Sequence, residues 1–301
     1  MDKEILKKYE KAGKINQEAK ILARKQLKPG VKALDLVEKI EKFIKEKGAG
    51  IAFPVNISIN DIAAHYTPDI NDALTLKERD MVKVDIGAHI DGYISDSAFS
   101  VRLGEKTDPL IKASEDALEQ FIKTIKPGKT VEEMSRLVDE VVTSHGFNPI
   151  RNLAGHSIEQ YTQHGGLSIP NGAVPIKDEI EEGTALGMEV FTTDGEGMVK
   201  ESSPTLIFMF LQPKPVRLRE SKKILELIFD NFKTLPFARR WLKNIGSPVS
   251  LHLALKELVN KEVLREYPPL RERSNGTIAQ TEETIIVLDK PIITTKVRSK
   301  N

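Results

Sequence analysis

A chain of 301 residues, 40% hydrophobic and 30% charged, is long enough to bury a substantial core in one large domain, or in one domain carrying a smaller insert. Lys and Arg number 45 against 44 Asp and Glu, a net charge of +1, which removes the electrostatic case for nucleic acid or an anionic membrane as principal partner. Cysteine is absent, which excludes disulfides and thiolate metal sites, and the apolar run 206–211 is too short to cross a bilayer.

The charged start Met1-Asp2-Lys3-Glu4 lacks the apolar stretch of a signal peptide, so a cytoplasmic protein is the expectation. Residues 15–27 have the apolar spacing of an amphipathic helix, stopped by Lys28-Pro29-Gly30. A second helix over 31–47 ends at Gly48, a residue suited to a left-handed C-cap. The plan then returns: a helix over 113–125, a break at Lys126-Pro127-Gly128, and a helix from 130 ending at Gly146. The glycines recur at an offset of 98 (128 − 30 and 146 − 48), and so do apolar positions: Leu36 with Met134, Ile40 with Val138, Phe43 with Val141. Two related halves follow, each a helix pair leading into strands.

Further strands are expected around 150–153, 184–191 and 205–211. Residues 214–274 differ in texture, with helical periods at 222–232, 237–243 and 250–264 and turn signals at Pro268-Pro269 and Asn275-Gly276. A strand over 277–288 closes the sequence. The reading is therefore a main domain of 1–213 and 275–301, interrupted by a helical insert of 214–274 whose three helices and closing turn and strand resemble a winged helix.

The most informative local feature is 81–101, two alternating runs joined by Asp91-Gly92, a strong signal for a type I′ hairpin. A two-residue loop sets Ile90 opposite Tyr93, Ile86 opposite Ser97 and Val82 opposite Val101. Val82, Val84, Ile86, Ala88 and Ile90 then share the core face, while Asp85 and Asp96 share the other as diagonal neighbours. Aspartate is depleted from strands, and two on one face repel unless protonated or neutralised by a cation. Solvated surface aspartates are the plain alternative; Asp91 is explained by the turn. His145 suits a helix C-terminus, His252 a surface, and His89 the strand surface near the turn. His65, His156 and His164 lie in loops rich in small residues, where a ligand can approach closely. Glu189, and either Glu282 or Glu283, are charges within apolar strands, where carboxylates are paired, protonated or metal-bound. Period two puts Glu282 and Glu283 on opposite faces and does not choose between them.

Taken in order, Phe53-Pro54-Val55-Asn56, Ala63-Ala64-His65-Tyr66-Thr67-Pro68, the Asp85/Asp96 hairpin, Asn152-Leu153-Ala154-Gly155-His156 and Ala279-Gln280-Thr281-Glu282 resemble the type II methionine aminopeptidases in their compact, archaeal-like form. The likeness covers nearly the whole chain, including a helical insert before the last strand. It implies an α/β "pita-bread" fold with an internal pseudo-twofold, and an enzyme that removes the initiator methionine from nascent polypeptides when the second residue is small. It implies two divalent ions (Co, Mn, Fe(II) or Zn), with Asp85 on the first, Asp96 and Glu282 bridging, and His156 and Glu189 on the second; an oxygen-rich set suits such ions. Glu189 is the implied general base, His65 and His164 the residues steadying substrate, and Phe53 a wall of the methionine pocket. The resemblance further implies a monomer working near the ribosome. Three positions depart from the family pattern: Thr281 and Glu283 flank Glu282 where Phe and His are usual, and Gln163 replaces an aliphatic residue. Rival readings are a prolidase-like relative sharing the ligands, and a pseudoenzyme that keeps the fold for binding. Gly128-Lys129-Thr130 lacks the first glycine of a phosphate loop, and neither a Gly-x-Ser-x-Gly nor a His-Glu-x-x-His motif occurs.

Overall fold

The computed structural model describes residues 1–297, so the last four residues of the 275–301 segment lie outside the described residues. Helices α1 (Lys3–Gln26) and α2 (Ala33–Glu46) come first. Asp2 caps α1 by accepting the amides of Glu4 and Ile5 (2.8 and 3.3 Å). The helix starts well before the expected 15–27 because its opening turns bury only Tyr9, Ala12 and Gly13 among lysines and glutamates, too faint an apolar stripe to read. Strands β1 (Gly50–Ile59), β2 (Ile62–Ala64), β3 (Met81–Ile90) and β4 (Tyr93–Arg102) follow, with β1-β3-β4 in one antiparallel sheet. Asp91 and Gly92 turn the hairpin at φ 51° and 85°, and Ile90 pairs with Tyr93 and Val82 with Val101, as a two-residue loop requires. One sheet face meets α2, packing Val37, Ile40 and Ile44 against Ile57, Val84 and Ile86.

The second half repeats the plan with α3 (Pro109–Thr124), α4 (Val131–Ser144), β5 (Asn148–Pro149), β6 (Ala154–Ser157), β7 (Ser168–Pro170) and β8 (Ala185–Thr193). A capping box between Thr130 and Glu133 starts α4. The duplication is physical: Gly30, Gly48, Gly128 and Gly146 take φ of 88°, 77°, 84° and 81°, with nothing near where a Cβ would sit. Backbone sign alone selects glycine there. Gly30 donates to Leu76 O and Gly128 to Ile180 O (2.8 and 3.0 Å), so each glycine turn is tied to the same place in its half. The strand expected at 150–153 is a turn instead, between β5 and β6, where Leu153 N bonds back to Ile150 O at 3.1 Å.

Strand β9 (Val199–Glu201) leads to β10 (Ile207–Phe210), α5 (Arg219–Asn231), β11 (Phe237–Ala238), a 3-10 turn (Arg239–Leu242), α6 (Pro248–Asn260) and β12 (Leu264–Tyr267). Residues 237–243 were expected to be helical. Pairing of Phe237 and Ala238 with Phe208 and Ile207 makes the first two residues strand, an override of local pattern by tertiary contact. The order β11-β10-β12 and helices α5 and α6 enclose a separate core of Phe208, Ile224, Ile228, Phe237, Leu251 and Leu258. The chain closes with β13 (Leu270–Glu272), β14 (Ile278–Ile286) and β15 (Ile292–Ile293). Strand β13 pairs with β2 and β9, and β14 with β8, in the sheet β15-β14-β8-β6-β7. The overall class is α/β, two related halves each with a helix pair on an antiparallel sheet, as the pita-bread expectation requires, and among the described residues no helix is long and apolar enough to cross a membrane.

Candidate metal centre

The two halves meet where β4 faces β14, joined by side-chain hydroxyls. Thr284 Oγ1 accepts the Asp96 amide and donates to the Asp96 carbonyl (both 2.7 Å), and Ser100 Oγ accepts the Gln280 amide and donates to its carbonyl (2.8 and 2.7 Å). Across this seam Asp85 and Asp96 from the hairpin face Glu282, which stands opposite Glu189 in the β14–β8 register. His156 on β6 completes the group: ligand atoms of Asp96, His156 and Glu282 lie within 4.8 Å of one another. All eight residues expected at a site (Phe53, His65, Asp85, Asp96, His156, His164, Glu189 and Glu282) line a single pocket.

The electrostatics of so dense a cluster are severe. Burial first, then repulsion from Asp96, pushes the carboxyls of Asp85, Glu189 and Glu282 well above the ordinary carboxylate range, and burial raises Asp96 to about 7. Burial lowers His156 to about 3 and His65 and His164 to about 4, so all three are neutral at pH 7. Asp85 Oδ1, Asp96 Oδ1 and Glu282 Oε1 are buried and lack any hydrogen-bond partner. Buried carboxylate oxygens left without donors suit a hard cation, which would satisfy them and cancel their repulsion. His156 fits the same set. Its Nδ1 points at the Ser157 carbonyl (3.3 Å), which can only accept, so the proton sits on Nδ1 and the Nε2 lone pair faces Asp96 Oδ2 at 3.8 Å.

The remaining candidates separate cleanly. Glu283 points away from the pocket and pairs with buried Lys20 at 3.0 Å. His89 accepts the Gly92 amide in the hairpin turn (3.0 Å), His145 caps α4 beside Asp116 (3.3 Å), and His252 is exposed on α6. Among pocket-lining residues, Tyr267, Ile207 and Pro236 had no role in the sequence reading, and Gln280, just behind the pocket, was quoted in the 279–282 motif without one. Gln280 donates to Glu189 Oε2 (3.1 Å) and sits two residues before Glu282 on the same strand face, so period two could have found it. Tyr267 stacks on His164 (centroids 5.9 Å) and meets His65 edge-on (5.3 Å); it comes from the segment read as a separate insert, and no sequence signal points to it.

Residues 7–207 match the model of metallopeptidase family M24. A methionine aminopeptidase from Methanocaldococcus jannaschii is 45% identical over 298 residues, covering 98% of this chain and all of the relative. The chain belongs to the methionine aminopeptidases. Two solved structures share the fold at lower identity. A thermophilic Arx1 superposes with TM-score 0.88 at 20% identity, covering 98% of this chain and 91% of its own. A methionine aminopeptidase from Thermotoga maritima gives 0.72 at 22% identity, covering 98% of both. The M24 family is one of metallopeptidases, and Asp96, His156 and Glu282 form a candidate divalent-metal site.

Proposed function

We propose that Asp85, Asp96, His156, Glu189 and Glu282 hold two divalent ions, Mn, Fe(II), Co or Zn, and that this centre releases methionine from chains whose second residue is small. The protein is a hydrolase, a metal-dependent aminopeptidase that removes N-terminal methionine. The observation that carries the proposal is the convergence of four carboxylates and a neutral imidazole, three of whose oxygens lack any partner, on one pocket floor. Bound divalent ions supply Lewis acidity, lowering the pKa of water and polarising the scissile carbonyl. Glu189 takes the proton of the attacking water and passes it to the leaving amine. His65 donates through Nδ1 to the Pro268 carbonyl (3.2 Å), which leaves Nε2 an acceptor suited to a peptide N–H. His164, neutral and seated between His156 and Tyr267, steadies the carbonyl oxygen as negative charge grows there. Phe53 is a wall of the methionine pocket. A Cβ on Gly87 would lie 2.3 Å from its ring, so glycine opposite Phe53 is what gives the ring its place.

The reading extends to a monomer that works in the cytoplasm on nascent chains near the ribosome, because initiator methionine is found at the N-termini of newly made chains. The test is methionine release from Met-Ala-Ser and Met-Lys-Ser by metal-stripped protein, with and without added Mn, Co or Fe(II). Metal-dependent cleavage of the first peptide alone is expected. Tight metal binding without cleavage of either peptide would favour a prolidase-like activity, and neither binding nor cleavage would favour a pseudoenzyme.

A further inference from the structure

The methionine pocket has walls from two parts of the chain that are far apart in sequence. Phe53 and His65 come from β1 and the loop after β2, while Ile207, Pro236 and Tyr267 come from the segment holding the separate core. Something must fix these two parts against each other, and a buried polar cluster joins them. Arg240, 4% exposed, forms an ion pair with Glu41 of α2, 6% exposed. The neighbouring Trp241 donates its indole N–H to the other oxygen of Glu41 at 3.0 Å. Arg240 also donates to Thr67 Oγ1 (2.6 Å) and to the Pro68 carbonyl (3.1 Å), two and three residues past His65.

The place this cluster grips on β1 is its irregular stretch. Register slips between Ile51 and Phe53 and again between Phe53 and Asn56, around Pro54, which has no N–H to give the ladder. The slip is what carries Phe53 to the pocket, but it takes the polar backbone of Val55 out of the ladder in a buried setting. The cluster satisfies both groups. Val55 N donates to Glu41 Oε1 (3.3 Å), and Thr67 Oγ1 donates to Val55 O (2.8 Å) while accepting from Arg240. Two further observations bind the same faces: Arg239 pairs with Asp69 at 3.2 Å, and Pro268 O receives the His65 ring proton.

Resting on the aminopeptidase reading above, we propose that Glu41 and Arg240 form a latch that sets the selectivity of the pocket for methionine. The pair holds the bulged strand bearing Phe53 and the loop bearing His65 in register with the wall of Ile207, Pro236 and Tyr267. These are positioning residues: neither lines the pocket. A hydrophobic pocket discriminates between side chains of similar size only as sharply as its walls are fixed. Loosening the latch therefore lets leucine compete with methionine, while the chemistry at the carboxylates is left alone.

The experiment measures kcat and KM for Met-Ala-Ser and Leu-Ala-Ser with Mn-loaded wild type, Glu41→Gln, Arg240→Met and the double variant. Each single variant is expected to lower the methionine-to-leucine ratio of kcat/KM about tenfold or more, through KM, with kcat for the methionine peptide within about threefold. The double variant should lose no more than the worse single, because both break one unit. Trp241 is the chain's one tryptophan, and its emission should shift in Glu41→Gln as the indole loses its acceptor, a readout independent of activity. Glu41→Asp, which keeps the charge and shortens the arm, carries the kinetic test if Arg240→Met does not fold. A shifted emission with an unchanged ratio would overturn the proposal, as would losses that multiply in the double variant. A wild type that cleaves neither peptide would instead overturn the aminopeptidase reading, and the selectivity claim with it.

Discussion

At the scale of single residues, Glu282 and Glu283 show how far chemistry depends on which face of a strand a side chain takes. Period two separates them but does not orient them; that is done by the β14–β8 register, which sets Glu282 against Glu189, and by α1, which offers Lys20 to Glu283. Their substitutions should therefore fail in opposite ways. Glu282→Gln is expected to lower turnover on the order of 100-fold or more, while the metal-free protein melts no lower than wild type, since one buried repelling carboxyl is gone. Glu283→Gln leaves Lys20, 3% exposed, without its charge partner, a loss of roughly 3–5 kcal/mol and about 10 °C in melting temperature, with kcat/KM of the folded enzyme near wild type. Kinetics and thermal melts on the two variants decide it; the reverse pattern would mean the wrong face was chosen. Most of the site was legible at this scale because aspartates and glutamates among apolar strand residues, and histidines among small ones, stand out from their surroundings. Tyr267 was not, since an aromatic residue beside Pro268-Pro269 looks like any turn-flanking side chain until the fold brings it to His65 and His164.

At the scale of elements, what the sequence displayed well were boundaries set by local chemistry: the glycine turns, the helix start at Thr130 and the Asp91-Gly92 hairpin. It concealed elements whose form depends on a distant partner. Strand β1 breaks its alternation at Pro54 and needs Glu41 and Thr67 to complete its backbone bonding, and β11 exists because Phe208 is there to pair with it. Helix α1 is the same kind of case. Its opening half packs only Ile5, Leu6, Tyr9 and Ala12 on the core, and at Gly13 the backbone itself comes close: a Cβ there would lie 2.4 Å from the Thr294 carbonyl oxygen. Helix propensity alone would make Gly13→Ala stabilising by about 1 kcal/mol. The backbone contact is expected to win, because neither the helix nor the 294–295 segment can retreat: Gln17 donates to Thr294 O (2.7 Å) and Thr284 N to Thr295 Oγ1 (2.8 Å). The urea midpoint of Gly13→Ala should therefore fall; a rise would mean that α1 is not seated on that segment.

At the scale of the whole molecule, the offset of 98 announced two halves, but no period encodes which strand edges meet, so the β4–β14 seam became visible only with the fold. That seam concentrates four carboxyls and a histidine, with two more histidines above them, and the consequence is a stability that depends on pH and metal together. Asp85, Asp96, Glu189 and Glu282 bind protons more tightly folded than unfolded, so their contribution is complete below the unfolded value near 4 and is lost as pH rises through the folded values, about 7 for Asp96. The histidines act in the opposite sense. Held neutral down to about 3 or 4 when folded but charged below 6.5 when unfolded, they add stability as pH climbs to 6.5 and nothing beyond it. The two sets oppose each other between about 4 and 6.5; above 6.5 the histidines add nothing more, and the four pocket carboxyls are opposed chiefly by buried Lys83, whose folded value near 7 adds stability as pH rises, one group against four. Metal-free protein should thus lose melting temperature between pH 6.5 and 8.5. Divalent ions replace the missing protons, so saturating Mn should raise the melting temperature most at the alkaline end and flatten the slope, with about 2.7 kcal/mol gained at a hundredfold excess over Kd. Scanning calorimetry of stripped and Mn-loaded protein across that range is the check. A metal-free protein whose melting temperature is level or rising from pH 6.5 to 8.5 would show that the pocket carboxyls are not held protonated by their burial.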